Sequence, residues 1–255
     1  MTPPILPGAE PFLFKSPTPT DRVVLLIHGF TSTPYSMREL GQKIANTGFD
    51  TKGILLPGHG TTPEDLETTT WTEWLDAVKK AFSELRKEYR QIFVCGQSMG
   101  GCLGLLLAST QRVDGVIVIA SGLRLSHWPA RLVPLLKYFV RFKPKLNGPD
   151  VKDPEAKEAE IHYSVMPMRS IDELRKLLGE LRARISQVEC PFMTIHGRHD
   201  HTFPFDNQEK LYRSVRSRLR RKIILENSYH LATLDVDKAV LQKAVIHFLK
   251  DLCQN

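Results

Sequence analysis

The sequence predicts an α/β fold built on a mostly parallel sheet covered by helices on both faces. Three observations carry that expectation. Short apolar, β-branched runs alternate with helical patterns along the chain. The runs are apolar almost without interruption, which marks strands buried on both faces rather than on one. The alternation breaks once, between residues 122 and 189, where prolines punctuate an insert.

Taken in order, strands are expected over residues 23–27, 51–56, 92–95, 116–120 and 192–196, with a late sixth over 222–226. Between them, helices are expected near 37–47, 72–89, 98–110, 206–215 and 236–252. The insert carries Pro129, Pro134, Pro144, Pro149, Pro154 and Pro167 and an amphipathic stretch over 171–185. It follows the fourth strand and so lies at the carboxyl ends of the strands, where a cap or lid of short helices would cover the sheet edge. A disordered linker is the competing reading, but Trp128, Leu132, Leu135, Leu136, Tyr138, Phe139 and Val140 are too apolar for one. The last part of the insert reads equally as a core-facing helix. The expected organisation is a core of residues 1–121 and 190–255 with an inserted cap over 122–189.

Composition narrows the function classes. A chain of 255 residues, 42% hydrophobic and 25% charged, can bury a substantial core. No apolar run approaches the roughly 20 residues that span a bilayer. The start, Met1-Thr2-Pro3-Pro4-Ile5-Leu6-Pro7, lacks a basic segment and is broken by prolines, so a secretory signal is not expected. The four cysteines, Cys95, Cys102, Cys190 and Cys253, are unclustered and without Cys-x-x-Cys spacing, which points to reduced thiols and a cytoplasmic protein. The net charge of +7 is densest over residues 216–222. That cluster reads as an anion or headgroup patch, or as a solvated helix end and loop. The second is preferred, because nothing else resembles a nucleic-acid module.

The chemistry centres on Gly96-Gln97-Ser98-Met99-Gly100, placed between a strand and a helix. A serine at such a turn adopts a strained backbone, and small flanking residues let strand and helix approach. Its hydroxyl then projects above the sheet edge beside a helix N-terminus, as a nucleophile needs. The base should be a histidine on a late loop, because histidine can take and return a proton near neutrality. Of nine histidines, namely His28, His59, His127, His162, His196, His199, His201, His230 and His247, His230 follows the sixth strand and precedes the last helix. His247 is expected to pack on an apolar helix face. Asp200, on the loop after the fifth strand, is the expected acid, with Asp206 as fallback and a helix N-cap as the plainer role for Asp200. The backbone N–H groups of Phe30 and Met99 are the expected oxyanion donors, with His28 bonding loop backbone to hold Phe30 in place. Leu56-Pro57-Gly58-His59-Gly60 is expected to shape the rim of the site. The run His196-Gly197-Arg198-His199-Asp200-His201 invites a metal reading, but its spacing is wrong for a ligand run and no further His or Cys pair supports it.

Together, the His28-Gly29-Phe30 loop, the Leu56–Gly60 turn, the Gly96–Gly101 turn, the Asp200 loop and the Ser228-Tyr229-His230 run resemble the α/β-hydrolase superfamily. Within it the chain is similar to small bacterial carboxylesterases related to monoacylglycerol lipases, on the strength of Arg198-His199-Asp200 and the run from Ser228 to Asp235. The resemblance implies Ser98 as nucleophile, Asp200 as acid, His230 as base and the Phe30 and Met99 amides as oxyanion hole, with no metal or organic cofactor. It implies hydrolysis of small carboxylic esters, short- to medium-chain acyl esters or monoacylglycerols, through an acyl-enzyme. His201 departs from the pattern, where a further acid would be unsurprising, and so does the proline-rich insert. Expected partners are a small-molecule ester, no nucleic acid, and at most transient contact with a membrane surface, in a monomer or homodimer. The same triad would serve a thioesterase, lactonase, C–C hydrolase or aminopeptidase. A non-catalytic ligand-binding protein on the same fold is the reading from another class.

Overall fold

The computed structural model describes residues 3–125 and 132–254. The first half of the chain forms β1 (Phe12–Phe14), β2 (Arg22–Ile27), α1 (Tyr35–Ala45), β3 (Asp50–Ile54), α2 (Pro63–Thr68), α3 (Trp71–Leu85), β4 (Gln91–Gln97), α4 (Met99–Ala108) and β5 (Gly115–Ile119). The insert holds α5 (Val133–Leu136), β6 (Phe142–Pro144), α6 (Pro154–Ala159), β7 (Val165–Pro167) and α7 (Met168–Arg184). The chain closes with β8 (Phe192–Gly197), α8 (Asp206–Ser214), β9 (Arg220–Leu225) and α9 (Lys238–Gln254). Seven strands form one sheet in the order β1-β3-β2-β4-β5-β8-β9. All neighbours run parallel except β1, which pairs antiparallel with β3.

The central strands are apolar throughout because both faces are covered. One apolar layer joins the sheet to α3, α4 and α7, through Trp74, Val78, Leu103 and Leu177 among others. The other joins it to α1 and α9, through Met37, Ile44, Val245 and Phe248. α3 starts on a capping box, with the Thr70 hydroxyl accepting from Glu73 N–H and the Glu73 carboxylate accepting from Thr70 N–H. Ile27 lies opposite Gly96, and Gln97 opposite Ile119. The loops leaving β2, β4 and β5 therefore share one edge of the sheet.

The six expected strands are present, shifted at their ends by one or two residues. β1, α2 and the hairpin of β6 with β7 were not expected, while α7 follows the core-facing reading of the insert's last part. β1 is a three-residue edge strand, too short to give a periodic signal. α2 lies between the Leu56–Gly60 turn and α3, where no element was expected. The insert contains a two-stranded antiparallel hairpin, β6 with β7, rather than short helices alone. α7 sends Leu174, Leu177, Leu178 and Leu181 into the main core. The basic run over 216–222 ends in edge strand β9, not on a helix. Lys222 there pairs with Glu209 at 2.6 Å and Arg221 with Asp251 at 2.7 Å. Charges on an edge strand discourage pairing with another chain. His247 is exposed beside Asp251 rather than packed, because Leu241, Val245 and Phe248 face the sheet and two residues beyond Val245 is about 200° around the helix. His127, Trp128 and Pro129 lie outside the described residues.

Two local constructions fix the edge where the loops meet. At the end of β4, Ser98 has φ 56° and ψ −120°, a left-handed conformation that costs a serine about 1–3 kcal/mol. A hydrogen bond from Ser98 N–H to Ile119 O (2.8 Å) and one from Ser121 Oγ to Ser98 O (2.9 Å) hold it there. The turn closes only without side chains on its flanks. A Cβ on Gly96 would lie 2.3 Å from the Gly100 backbone, and one on Gly100 would lie 2.2 Å from Ile27 O. The second construction is Asp235, fully buried before α9. Its Oδ1 accepts the N–H groups of Lys152, Asp153 and Val236, and its Oδ2 that of Tyr229 at 2.7 Å. One carboxylate thus ties the insert to the residue preceding His230.

Gly100→Ala is expected to lower unfolding free energy by about 1–3 kcal/mol, because the obstructing atoms are backbone and must shift; urea denaturation measures it. Asp235→Ala should cost about 3 kcal/mol by leaving several buried N–H groups unpaired. It should also expose the 152–153 segment to limited proteolysis before the core unfolds.

Candidate active site

Ser98, His230 and Asp200 come from the ends of β4, β9 and β8 and meet at one sheet edge. His230 Nε2 lies 2.8 Å from Ser98 Oγ, and His230 Nδ1 lies 2.8 Å from Asp200 Oδ2. With Nδ1–H donated to the carboxylate, Nε2 presents its lone pair to the hydroxyl. All three side chains are largely buried.

The Asp200 carboxylate is saturated with donors. Its Oδ1 accepts the backbone N–H groups of Thr202 and Phe203, both at 2.8 Å. Its Oδ2 accepts from His230 and also lies 3.1 Å from His196 Nε2, which donates in addition to Phe203 O at 3.2 Å. Burial alone would raise this carboxyl. The charge on His230 and the hydrogen bonds from His196 and His230 outweigh it and hold the group far below the usual carboxylate range. Burial likewise pulls the His230 ring down, while the charge and hydrogen bond of Asp200 push it up; Asp200 wins, and the ring binds its proton more tightly than an ordinary histidine. Asp206, the fallback acid, sits at the surface with Arg124 and Lys210.

Phe30 N–H and Met99 N–H have no protein acceptor among the described residues. Met99 opens α4, where the first N–H groups have no partner within the helix. The Phe30 loop is fixed from the core side by His28, whose Nδ1 bonds Gly29 O at 2.9 Å and whose Nε2 accepts Leu56 N–H at 3.1 Å. Burial lowers the proton affinity of His28 to about 4, so the ring is neutral and can accept as well as donate. The turn containing His59 packs behind this loop, with His59 edge-on to His28 and Phe30, and does not line the cavity mouth. That differs from the expected rim, because burial drives the ring of His59 under the loop and against Trp74.

A cavity of about 350 Å³ opens above Ser98 and His230. Its apolar walls are Phe30, Leu125, Met166, Ile171, Leu174 and Phe203; Lys143, Lys145, Asp150 and His201 are its ionisable side chains besides His230. His201 pairs with Asp150 at 2.7 Å and stands edge-on to Tyr229. The apolar residues that argued against a disordered linker do not line the cavity: Leu135, Tyr138 and Phe139 are 60%, 73% and 78% exposed, and Leu136 packs with Val133. The metal-like run does not converge either. His196 and Asp200 are buried, His199 and His201 exposed, and among the described residues no group of three His, Cys, Asp or Glu could hold a metal.

Sequence reasoning missed His196 as a partner of Asp200, and Lys143 and Lys145 as cavity residues. The first was masked by its place in a strand. The second pair had a usable signal, because residues two apart in a strand share a face.

The model for the family described as serine aminopeptidase, S33, matches residues 18–237. A thermostable monoacylglycerol lipase from Bacillus sp. (strain H-257) is 33% identical over 249 residues, covering 96% of each chain. A carboxylesterase from Bacillus subtilis (strain 168) is 29% identical over 245 residues, covering 95% of this chain and 97% of the relative. A solved structure determined for the metagenome-derived lipolytic enzymes LipS and LipT superposes with a TM-score of 0.91 at 32% identity, covering 97% of this chain and 100% of that one. With these similarities running almost end to end over the same sheet and the same edge, the chain belongs to the serine aminopeptidase S33 family of α/β-hydrolases.

Proposed function

We propose that the protein is a serine hydrolase that cleaves small carboxylic esters, short- to medium-chain acyl esters or monoacylglycerols, through an acyl-enzyme on Ser98. The observation that carries this reading is the unbroken chain of two 2.8 Å hydrogen bonds, Ser98 to His230 and His230 to Asp200, at the floor of a largely apolar cavity. In the first half-reaction His230 Nε2 takes the proton from Ser98 Oγ as Oγ attacks the ester carbonyl. The Phe30 and Met99 amides receive the oxyanion, and Asp200 stabilises the imidazolium. His230 then delivers its proton to the leaving alkoxide. In the second half, water attacks the acyl-enzyme by the same route and restores Ser98. In the cap proposed over 122–189, Leu125, Met166, Ile171 and Leu174 supply much of the apolar cavity wall.

The names of the relatives support ester chemistry, and the cavity weighs against the peptide chemistry in the family's name. An aminopeptidase must welcome a free α-ammonium. Here the lining bears Lys143 and Lys145, and its one carboxylate, Asp150, is engaged by His201. Among the described residues no helix is long and apolar enough to cross a membrane. Four free thiols fit a reducing, cytoplasmic setting.

A panel of p-nitrophenyl esters, monoacylglycerols, acyl-CoAs and aminoacyl amides, with fluorophosphonate labelling, tests the reading. The wild type should hydrolyse the esters and label at Ser98. Ser98→Ala should lose about 10⁴-fold or more in kcat and all labelling; wild-type turnover in that variant would sink the assignment. Because the reaction needs neutral His230 and Asp200 raises its proton affinity, kcat/KM should be retained at high pH and lost as pH falls through a value above the ordinary 6.5 or so. Asp200→Asn should move that limb to lower pH and cut kcat by about 10³–10⁴-fold, read from a pH–rate profile.

A further inference from the structure

We infer that Lys145, on the insert, is a positioning residue for the Phe30 amide: it holds the oxyanion loop from the side opposite His28. The inference rests on the reading of Phe30 N–H as an oxyanion donor.

Lys145 follows β6, and its own N–H bonds Ser164 O at 2.8 Å, which extends the hairpin past Pro144. Its ammonium donates to Thr31 Oγ1, and the Thr31 hydroxyl donates in turn to Phe30 O at 2.6 Å. The peptides on either side of Phe30 are thus both held. The Gly29 carbonyl, in the same peptide as Phe30 N–H, is fixed by His28 from the core. The Phe30 carbonyl is fixed by Thr31 and, through it, by the insert.

Thr31 needs such support. Its φ is 61°, a left-handed conformation that is a genuine outlier for a β-branched residue. The insert grips this loop twice more, at Thr31 and at Ser32. Tyr163 N–H donates to Thr31 O at 3.0 Å, and Ser32 Oγ donates to Glu160 Oε1 at 2.6 Å. A charged donor on Thr31 Oγ1 polarises the hydroxyl and strengthens the bond it gives to Phe30 O.

The placement of the ammonium accords with this role. Burying a cation among apolar side chains is unfavourable unless it is paired. Burial depresses Lys145 to about 8, and the Glu160 carboxylate offsets part of that, so the group is cationic at neutral pH. Its one hydrogen-bond acceptor among the described residues is the Thr31 hydroxyl. Lys145 also lines the cavity, so contact with the substrate is the role to be distinguished.

The test compares kcat and KM for Lys145→Met, Thr31→Val, the double variant and Thr31→Ser, on two esters with the same acyl group and different alcohols. A positioning role lowers kcat by about 10–100-fold in Lys145→Met and Thr31→Val, equally on both esters, and leaves KM within about twofold. The double variant loses no more than the worse single, because one chain of bonds is being broken. Thr31→Ser, which keeps the hydroxyl, stays within about threefold of wild type. Circular dichroism and a urea midpoint check folding. If Lys145→Met fails to fold, the nearly isosteric Thr31→Val decides. Unchanged kcat in Lys145→Met and Thr31→Val, or a loss confined to KM or to one alcohol, overturns the inference. Ser98 labelling and turnover by the wild type separate that outcome from failure of the ester-hydrolase reading itself, in which neither is seen.

Discussion

The close approach of the β4–α4 turn to the end of β2 is the constraint on which the site depends. Gly96 touches Gly100, and Gly100 in turn lies against the carbonyls of Ile27 and His28, at distances no side chain tolerates. That contact brings the first turn of α4 beside the Phe30 loop, so that two backbone N–H groups from different elements can address one oxygen. It also forces the left-handed backbone at Ser98, which lifts the hydroxyl off the sheet. The strain is local and the sheet meets it. Ile119 O and Ser121 Oγ, both reached through the β4–β5 register, clamp the peptide groups of Ser98.

The carboxylate of Asp200 is the second fixed point, and it acts by saturation. Four donors reach its two oxygens, two of them backbone N–H groups of its own loop. A carboxylate so held has no freedom to rotate away from His230, and its charge is retained in spite of burial. The helix N-cap reading of Asp200 does not hold, because α8 begins at Asp206 with Phe205 as its cap; Asp200 closes a turn instead. With Oδ1 accepting the N–H groups of that turn, Oδ2 is left aimed at the histidine.

What could be read in the sequence follows from what is repetitive. The inner strands were legible because burial on both faces writes β-branched runs; Ser98 and Asp200 were legible because each follows one of them, and His230 because it lies between edge strand β9 and the last helix. β1 and the β6–β7 hairpin were not. They are three residues long, and Pro144 and Pro167 sit at their ends, where an edge strand tolerates them but a sequence reading takes them for loop. His247 was misplaced because the last helix is apolar enough that its face is set by a few large side chains rather than by overall pattern. The cavity wall was not legible for a related reason. Apolar character marked the insert as folded without saying which of its residues face the cavity; Met166, Ile171 and Leu174, arranged by a hairpin and by α7, line it. His196 was hidden because its partner lies four residues away across a turn, a contact that neither helical nor strand periodicity announces.

The insert enters the chemistry through charge as well as shape. Asp150 and Lys145 both face the cavity and act on His230 in opposite directions, the first raising and the second lowering its proton affinity. Neither is as close as Asp200, which sets the ring's orientation and the sign of its shift. Asp150 is itself held, by His201 and by the Thr202 hydroxyl, and Lys145 is held by Thr31. The two insert charges are thus anchored on the core, one on the loop that carries Asp200 and one on the loop that carries Phe30. Replacing the insert would change the pocket and the proton affinity of His230 together, because the groups that shape one are bonded to the elements that fix the other.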